Sequence, residues 1–415
     1  MEQVIFGGYY DLLNTTTTEY NLLCGGYEWH ATEDQRKQVV STSGKIKNLR
    51  VKLDDSPGAG KKYVFTLMVN GAPSALTLEI ADAATSGADT THEVDVVAGD
   101  LISLQCDPDG TPSARRATWT SMFEGATSKE SLILGTVNWL EKATIEYGLL
   151  AGFTEQSFTE NDHRCICPTS GKIKNLYVWL DRDPGTSPDA YEFTLRQDTG
   201  AGLGDTALTV TITANDTTGN NTVDEITLSA GDVLTMKIKP LNAPSEEAYA
   251  AWGMTFLADT DGESVVMAGL YNDLNTGATE YIYLQSPDAA GWFGTESTRL
   301  QLGQSCTLKK LYLLLSAAPG DGKSYTFTLR KPGNGQADGN LTVTITGAAT
   351  TTGSDLVNTD AISDDDYVDL KCVPANTPDV ADAYWGLVGY IEPAAVGLEN
   401  KSANMAAKMI AGKLI

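Results

Sequence analysis

The residues best suited to catalysis in this chain are its three histidines and one closely spaced pair of cysteines. None of the histidines, His30, His92 and His163, has a nucleophile-elbow sequence beside it. His163 lies in the stretch NDHRCIC, next to Cys165 and Cys167, so a Cys–His pair is one interpretation. Chance proximity is the interpretation that we prefer, because nothing else in the sequence completes a catalytic set. We therefore predict no catalytic residue and no enzymatic activity.

Metal ligands are the second kind of chemistry to consider. The C-x-C pair at 165–167 would point both thiols to one face of a strand, but no second C-x-C and no nearby pair of histidines completes a zinc site. Three acidic stretches, at 107–110, 259–263 and 363–367, offer oxygen ligands for calcium. Each supplies only part of the roughly six to eight oxygens that this ion needs. We expect buried thiols and solvated acidic loops, and we predict no metal and no cofactor.

The stretch PGDGKSY at 319–325 contains the Gly-Lys-Ser of a phosphate-binding loop. That loop also needs a glycine five positions before the Gly-Lys pair, where this chain has Ala317. A related stretch, TSPDAY at 186–191, has no Gly-Lys pair. A turn that enters a strand accounts for both stretches, so we do not predict a nucleotide site.

The elements that carry these residues repeat along the chain. The heptad SGKIKNL occurs at 43–49 and again at 170–176, and a similar heptad, SCTLKKL, occurs at 305–311. Each heptad is followed, in the same order, by a Pro-Gly turn, a Thr-rich segment, an AGD-like turn and a closing Ala-plus-Trp segment. A period of this length matches a whole domain, so we predict three tandem copies of one domain. The predicted domains are 1–126, 127–262 and 263–393, followed by a C-terminal tail at 394–415.

Inside each copy, apolar and polar residues alternate with a period of two. In SYTFTLR, Tyr325, Phe327 and Leu329 share one face, and in ALTVTI the apolar face carries Leu208 and Val210. Pro-Gly pairs separate such segments and suit type II turns. We count roughly seven or eight short strands per copy and no convincing helix. The sequence therefore predicts an all-β fold of three tandem jelly-roll-like antiparallel β-sandwich domains, plus a short C-terminal helical tail.

Aspartates and tryptophans recur as well. Asp100 and Asp232, in the two AGD turns, are expected to cap those turns. The tryptophans of the three closing segments are expected to be core anchors: Trp119, Trp252 and Trp385. Four other tryptophans do not align in the sequence, and exposed indoles among them could form a sugar-stacking platform: Trp29, Trp139, Trp179 and Trp292.

The overall charge excludes some classes of partner. A formal net charge of -25 repels nucleic acid and anionic membranes, so we predict direct binding to neither. No apolar run is long enough to span a membrane. The opening residues lack the basic and apolar regions of a signal peptide, so we expect synthesis and first folding in a cytoplasm.

The last residues, ENKSANMAAKMIAGKLI, break the β pattern. Apolar residues recur there at helical spacing, and the alanines favour a helix. The segment is a short docked helix or frayed end, or else an anchor that attaches the acidic chain to a partner. In the second interpretation four apolar side chains make the contact: Met405, Met409, Ile410 and Leu414.

The turn and strand pattern at 319–333 and 341–355, with counterparts at 57–80 and 184–212, resembles small β-sandwich modules among the virion structural proteins of tailed bacteriophages. The likeness covers the core half of each copy and consists of turns and strands. It implies a non-enzymatic surface part of the particle, such as a capsid decoration, a head fibre or a tail-associated protein. Three copies on one chain depart from the single-module form of that family.

We therefore expect a non-enzymatic phage virion structural protein that is assembled in the host cytoplasm. Its expected partners are other virion proteins, such as the major capsid protein or tail components, and copies of itself. The three domains could surround a pseudo-threefold axis and fill the site of a homotrimer of single modules. The alternative function is that of a carbohydrate-binding, receptor-recognition β-sandwich protein.

Overall fold

The chain folds almost entirely into β-strands. A computed structural model describes residues 1–155, 157–285, 291–333 and 335–393. The predicted helical tail, with its candidate contact residues Met405, Met409, Ile410 and Leu414, lies outside the described residues. Short 3₁₀ turns lie at Glu33–Arg36, Glu160–Asp162 and Glu296–Thr298.

The strands fall into three sets, which we call repeats 1, 2 and 3. Repeat 1 contains β1 (Glu2–Tyr9), β2 (Glu19–Asn21), β3 (Gln38–Val39), β4 (Gly44–Leu53), β5 (Gly58–Val69), β6 (Ala72–Asp82), β7 (Ser86–Val96), β8 (Leu101–Asp109) and β9 (Ala117–Gly125). Repeat 2 contains β10 (Glu130–Val137), β11 (Glu146–Gly148), β12 (Gly152–Thr154), β13 (Cys165–Ile166), β14 (Gly171–Leu180), β15 (Ala190–Asp198), β16 (Gly204–Thr213), β17 (Thr218–Leu228), β18 (Val233–Leu241) and β19 (Ala250–Ala258). Repeat 3 contains β20 (Glu263–Leu270), β21 (Glu280–Ile282), β22 (Gln301–Leu302), β23 (Cys306–Leu315), β24 (Gly320–Gly333), β25 (Gly335–Gly347), β26 (Thr352–Ile362), β27 (Tyr367–Ala375) and β28 (Ala383–Tyr390).

Each repeat is a sandwich of two sheets with nested strand pairing. In repeat 1 the sheet orders are β1-β9-β4-β7 and β2-β8-β5-β6, and β3 also pairs with β8. The first strand, β1, thus pairs with the last strand, β9. In the same way β4 pairs with β7 and β5 pairs with β6, and this nested pairing is the jelly-roll topology. Repeats 2 and 3 have the same orders, and β12 adds a parallel strand next to β10. The prediction of an all-β fold of repeated jelly-roll sandwiches is confirmed.

The repeated heptad contains a β-bulge. Ile46 and Leu49 are three positions apart, yet both are fully buried in the core of repeat 1. The register of β4 shifts between them, at Asn48, which has a φ of 53°. An extra residue in the strand reverses the alternation of faces, so both apolar side chains enter the core. The same shift occurs in the other two heptads, at Asn175 and Lys310.

The other repeated residues take the structural roles that the sequence predicts. The carboxylates of Asp100 and Asp232 accept the backbone N–H of Val97 and Ser229, three positions earlier, and so cap their turns at 2.8 and 2.9 Å. The three closing tryptophans are fully buried, and each indole N–H donates to a backbone carbonyl oxygen of its own repeat. These hydrogen bonds are Trp119 to Leu23 (3.0 Å), Trp252 to Leu150 (3.1 Å) and Trp385 to Leu284 (2.8 Å).

The first strand of each repeat belongs to two cores. Along β1, Ile5 enters the core of repeat 1, whereas Val4 and Phe6 enter the core of repeat 3. In the same way, two leucines of β10 pack in the core of repeat 1. Val265 and Met267 of β20 pack in the core of repeat 2. This division follows from the period of two in a strand that is buried on both faces. The borders at 126 and 262 stay predictions, because these cores extend across them.

The three repeats contact one another in a closed ring. The short strand β3 packs on β10, β14 and β19 of repeat 2, and β13 packs on β20, β23 and β28 of repeat 3. The ring closes because β22 of repeat 3 packs in the same way on β1, β4 and β9 of repeat 1. At the centre β1, β10 and β20 contact one another and leave a cavity of only about 10 Å³. The contacts therefore have the pseudo-threefold arrangement and not that of a string of domains.

Candidate functional site: the interfaces between repeats

Both residues of the candidate Cys–His pair are buried, and Cys165 lies in the core of repeat 2. His163 follows the 3₁₀ turn of repeat 2, at the position that Arg36 and Arg299 occupy in the other repeats, and all three side chains are buried. The Cys165 sulfur accepts the N–H of Leu150 at 3.4 Å, in the interior of repeat 2. Burial raises the pKa of this thiol to about 12, so it stays protonated at neutral pH and is a poor nucleophile.

Cys167 is equally buried, and its thiol donates a hydrogen bond to the carbonyl oxygen of Thr169 at 3.0 Å. Burial raises its pKa to about 12 as well. All six cysteines of the chain are free thiols. The two thiols of the C-x-C pair therefore take structural positions in the core of repeat 2, as the sequence led us to expect.

The acidic stretch at 363–367 is engaged across an interface instead of being only solvated. Asp364 and Asp365 of repeat 3 pair with the guanidinium of Arg50 in repeat 1, at 2.6 and 3.1 Å. Asp364 also accepts the backbone N–H of Ser305 at 2.9 Å, and these donors lower its pKa against the effect of burial. Within the described residues no group of three or more His, Cys, Asp or Glu side chains is arranged to hold a metal ion.

A lysine–glutamate pair recurs at the start of each first strand. The lysine at the fifth position of each heptad pairs with the glutamate that opens the first strand of the same repeat: Lys47–Glu2 (2.7 Å), Lys174–Glu130 (2.7 Å) and Lys309–Glu263 (3.0 Å). Sequence reasoning did not assign this role, although the lysine recurs in all three heptads. The recurrence of this lysine is the sequence feature from which its role could have been predicted.

Two of these glutamates also connect neighbouring repeats. The hydroxyl of Thr42 in repeat 1 donates to Glu130 at 2.6 Å, and the hydroxyl of Thr169 in repeat 2 donates to Glu263 at 2.7 Å. Burial raises the pKa of Glu263, but hydrogen bonds from Lys310, Thr169 and a second lysine outweigh it and hold the pKa below the ordinary value. A buried carboxylate needs such partners, so each pair fixes one repeat against the next.

Close backbone contact across two interfaces requires glycine. A Cβ atom on Gly253 of β19 would lie 2.0 Å from the carbonyl oxygen of Val39 in repeat 1. A Cβ atom on Gly386 of β28 would lie 2.1 Å from the carbonyl oxygen of Ile166 in repeat 2. The two glycines are the residues directly after Trp252 and Trp385, so the same feature serves two equivalent interfaces.

The proposed sugar-stacking tryptophans are not an exposed platform. Trp29 and Trp292 are each only 6% exposed, and each lies one residue before an isolated β-bridge to the second strand of its repeat. Their rings lie 5.4 and 5.8 Å from Trp119 and Trp385, respectively. The prediction that these two residues are unaligned surface residues is wrong. They extend the core beneath opening segments whose sequences have diverged, since a buried indole removes a large apolar area from water.

The two remaining tryptophans belong to repeat 2, and Trp179 lies at the interface with repeat 1. Trp139 is 37% exposed, with the guanidinium of Arg182 5.2 Å from its ring centre and Tyr249 packed against its edge. Trp179 is half-buried, and the ammonium of Lys37 from repeat 1 lies 5.6 Å from its ring centre. Both indoles already have partners within the chain.

None of the predicted partner-contact residues lies within the described residues, because all four belong to the tail. Among the residues that the structure describes, no helix has the length and apolar character that a membrane crossing needs. Compared with known proteins, the chain matches no protein-family model and no curated protein.

Proposed function

We propose that this chain is a non-enzymatic structural protein of a tailed-phage virion, a capsid decoration, head fibre or tail-associated protein. It acts as a single-chain counterpart of a trimer of single modules. Its partners are other virion proteins, such as the major capsid protein or tail components. Its mechanism is mechanical, because rigid sandwiches present extended surfaces to neighbouring proteins.

The closed ring is the observation that carries this proposal. Each repeat contacts the next through equivalent strands, and the third contacts the first in the same way. A head-to-tail interface that closes after three copies is what a cyclic homotrimer uses. A chain of this kind could occupy a threefold position on a particle while the three repeats differ in their outer surfaces.

The charge of the chain agrees with contacts to protein. A net charge of -25 disfavours nucleic acid and anionic membranes as direct partners. The acidic stretch at 363–367 is engaged in an ion pair between repeats, and burial raises the pKa of the Cys165 and Cys167 thiols to about 12, which is typical of structural positions.

Particles released from a host that carries the gene provide the test. Density-gradient-purified particles should contain the chain at a fixed ratio to the major capsid protein, measured by mass spectrometry. Electron microscopy should then show density of the ring's size on the outside of the particle, and particles from a deletion strain should lack it. Recovery of the chain only as free protein, in a lysate with intact particles, would contradict the proposal.

The tail belongs to the same proposal as an anchor. Replacing its four apolar residues by serine in the full chain should leave the melting temperature of the ring unchanged and release the protein from particles: Met405, Met409, Ile410 and Leu414. As a matched control, Ser402→Ala in the same segment should be incorporated normally. Full incorporation of the fourfold variant would place the contact on the ring instead.

A further inference from the structure

The interface between repeats 3 and 1 contains a pocket beside Lys52 and Arg116. It has a volume of about 390 Å³, which falls in the range of small-molecule sites, roughly 300–1,000 Å³. Its main lining residues come from both repeats: Tyr9, Lys52, Asp54 and Arg116 from repeat 1, and Tyr283 and Tyr367 from repeat 3.

Between repeats 1 and 2, the part of the equivalent space next to Tyr249 is filled, although Trp179 also lines a separate pocket of about 290 Å³ on that interface. Trp179 stands there at the position of Lys52, and Tyr249 stands at the position of Arg116. With Phe153 these rings leave a cavity of only about 10 Å³. Aromatic side chains of the chain itself therefore occupy the place that Lys52 and Arg116 line in the other interface.

The interface between repeats 2 and 3 is also packed with the chain's own side chains. Leu314 stands at the position of Lys52, and Tyr384 stands at the position of Thr118. Tyr384 is fully buried, its hydroxyl donates to the carbonyl oxygen of Asn161 at 2.6 Å, and it packs with Leu314 and Ile166. The interface between repeats 3 and 1 thus has a lysine where the other two interfaces have Trp179 and Leu314.

The pocket carries an excess of positive charge. The ammonium of Lys52 lies 4.2 Å from the ring centre of Tyr367, and no carboxylate within the described residues forms a salt bridge with it. Arg116 pairs with Asp54 at 3.5 Å and donates to the carbonyl oxygen of Tyr10 at 2.6 Å. Two cations against one carboxylate make a local positive site in a strongly acidic chain, so an anionic group is favoured there.

The rest of the lining favours a polyhydroxylated ring. The half-buried ring of Tyr367 offers apolar surface to the C–H face of a sugar, and the buried rings of Tyr9 and Tyr283 also line the pocket. Asp54 and Thr298 offer oxygen acceptors for sugar hydroxyls. We propose that this pocket binds a sugar acid, with the sugar carboxylate directed towards Lys52 and Arg116 and the ring against the tyrosines.

This proposal does not depend on the virion role. It locates carbohydrate recognition in this pocket and not at the tryptophans that the sequence suggests. The signal was present in the sequence, where the aligned residues at 52, 179 and 314 are lysine, tryptophan and leucine. The three interfaces must be compared before this difference at one repeated position can be linked to a pocket.

Titration of the purified full chain with D-glucuronate, D-glucose and acetate, followed by calorimetry or ligand-observed NMR, tests the proposal. D-Glucuronate should bind saturably, and the neutral sugar and the simple carboxylate should bind at least about tenfold more weakly. The variant Lys52→Leu should weaken D-glucuronate binding by about tenfold or more, because it removes the unpaired cation. Lys61→Leu, with the same charge change in repeat 1 but outside the pocket, should bind as the unchanged chain does.

A second variant distinguishes loss of the pocket from loss of binding through misfolding. Lys52→Trp introduces the residue that repeat 2 has at this position and should abolish binding by filling the pocket, with an unchanged melting temperature. The proposal is overturned if D-glucuronate does not bind, if acetate binds as tightly as D-glucuronate, or if both Lys52 variants bind like the unchanged chain. Each result is obtained on the purified chain, so it is separate from incorporation into particles.

Discussion

At the scale of single residues, a glutamate that is half-buried or fully buried recurs at the start of β2, β11 and β21. Glu19, Glu146 and Glu280 each accept the backbone N–H of the residue five positions earlier, at 3.0, 3.1 and 2.7 Å. Burial raises the pKa of all three carboxyl groups, and it raises that of Glu146 to about 8. Glu146 is 1% exposed, so it shows the effect of removing a carboxylate from water most clearly.

Glu146→Gln should therefore change the pH dependence of stability. The folded chain holds a proton on Glu146 between the unfolded pKa of about 4.3 and the folded pKa of about 8, so the wild-type free energy of unfolding falls as pH rises through this window. Glutamine keeps the acceptor without the charge, so the variant should be more stable at pH 8.5 by on the order of 2 kcal/mol, with a difference that shrinks towards pH 5. Thermal melting from pH 5 to 8.5 measures this. The exposed control Glu246→Gln should keep the wild-type profile, and an identical profile for Glu146→Gln would disprove the effect.

Gly7 provides a second test at this scale. A Cβ atom there would lie 2.0 Å from the Trp119 indole nitrogen and 2.7 Å from the carbonyl oxygen of Leu23, the two atoms of a core hydrogen bond. Gly7→Ala should therefore lower the free energy of unfolding by about 1–3 kcal/mol through overpacking. Repeat 3 has Ala268 at this position, so the experiment measures how closely repeat 1 has packed around its glycine. Chemical denaturation gives the value, and Gly204→Ala, whose nearest neighbour would be 4.0 Å away, should have little effect.

At the scale of elements, the heptad strand depends on one left-handed residue. Without the bulge at Asn48, Asn175 or Lys310, the two core residues on either side would point to opposite faces of the sheet. Asparagine adopts a positive φ more readily than most residues, and β-branched residues adopt it least. The repeated Asn-Leu pair is therefore a backbone requirement and not a chemical motif.

Substitution of Asn175 tests this interpretation. Asn175→Val should cost about 1–3 kcal/mol of stability, because a β-branched residue is strained at a φ of 54°. Asn175→Gly should be nearly neutral, because glycine adopts this conformation freely. Lys172→Val in the same strand, where the backbone is extended, serves as the control in the same melting experiment. Equal losses for the two valine variants would mean that the bulge is not what requires asparagine.

At the scale of the whole molecule, the ring depends on contacts between residues far apart in the chain. The side-chain amide of Gln304 donates to the carbonyl oxygen of Asn48, and the backbone N–H of Leu302 donates to the hydroxyl of Thr118 at 2.8 Å. Together with the Arg50–Asp364 pair they join the last repeat to the first. The molecule should therefore behave in solution as one compact body.

Small-angle X-ray scattering tests the closed ring. A compact chain of this length should have a radius of gyration of about 22 Å, whereas three sandwiches strung end to end should exceed roughly 30 Å. The same chain in concentrated denaturant should reach about 75 Å and provides the reference for an open chain. A native value above 30 Å would eliminate the pseudo-threefold arrangement.

Much of each repeat can be predicted from short stretches of sequence. The alternation in 325–329, the Pro-Gly turns and the three closing tryptophans are local patterns, and strand pairing, turn conformation and core burial follow from them directly. The tandem copies follow from comparing the chain with itself. The burial of Trp29 and Trp292 did not follow, because the opening segments have diverged and carry no period.

The sequence by itself determined the strands, their turns and the threefold repetition, because each is set by the spacing of neighbouring residues. Only the tertiary structure decided that β1 shares its faces between two cores and that β22 returns to repeat 1. It also decided that Lys52 lines a pocket with Arg116, while Trp179 packs with Tyr249 and Phe153 and Leu314 packs with Tyr384. The physical reason is that these outcomes depend on which surfaces meet across more than a hundred residues, and the free energy of such contacts is absent from any local pattern.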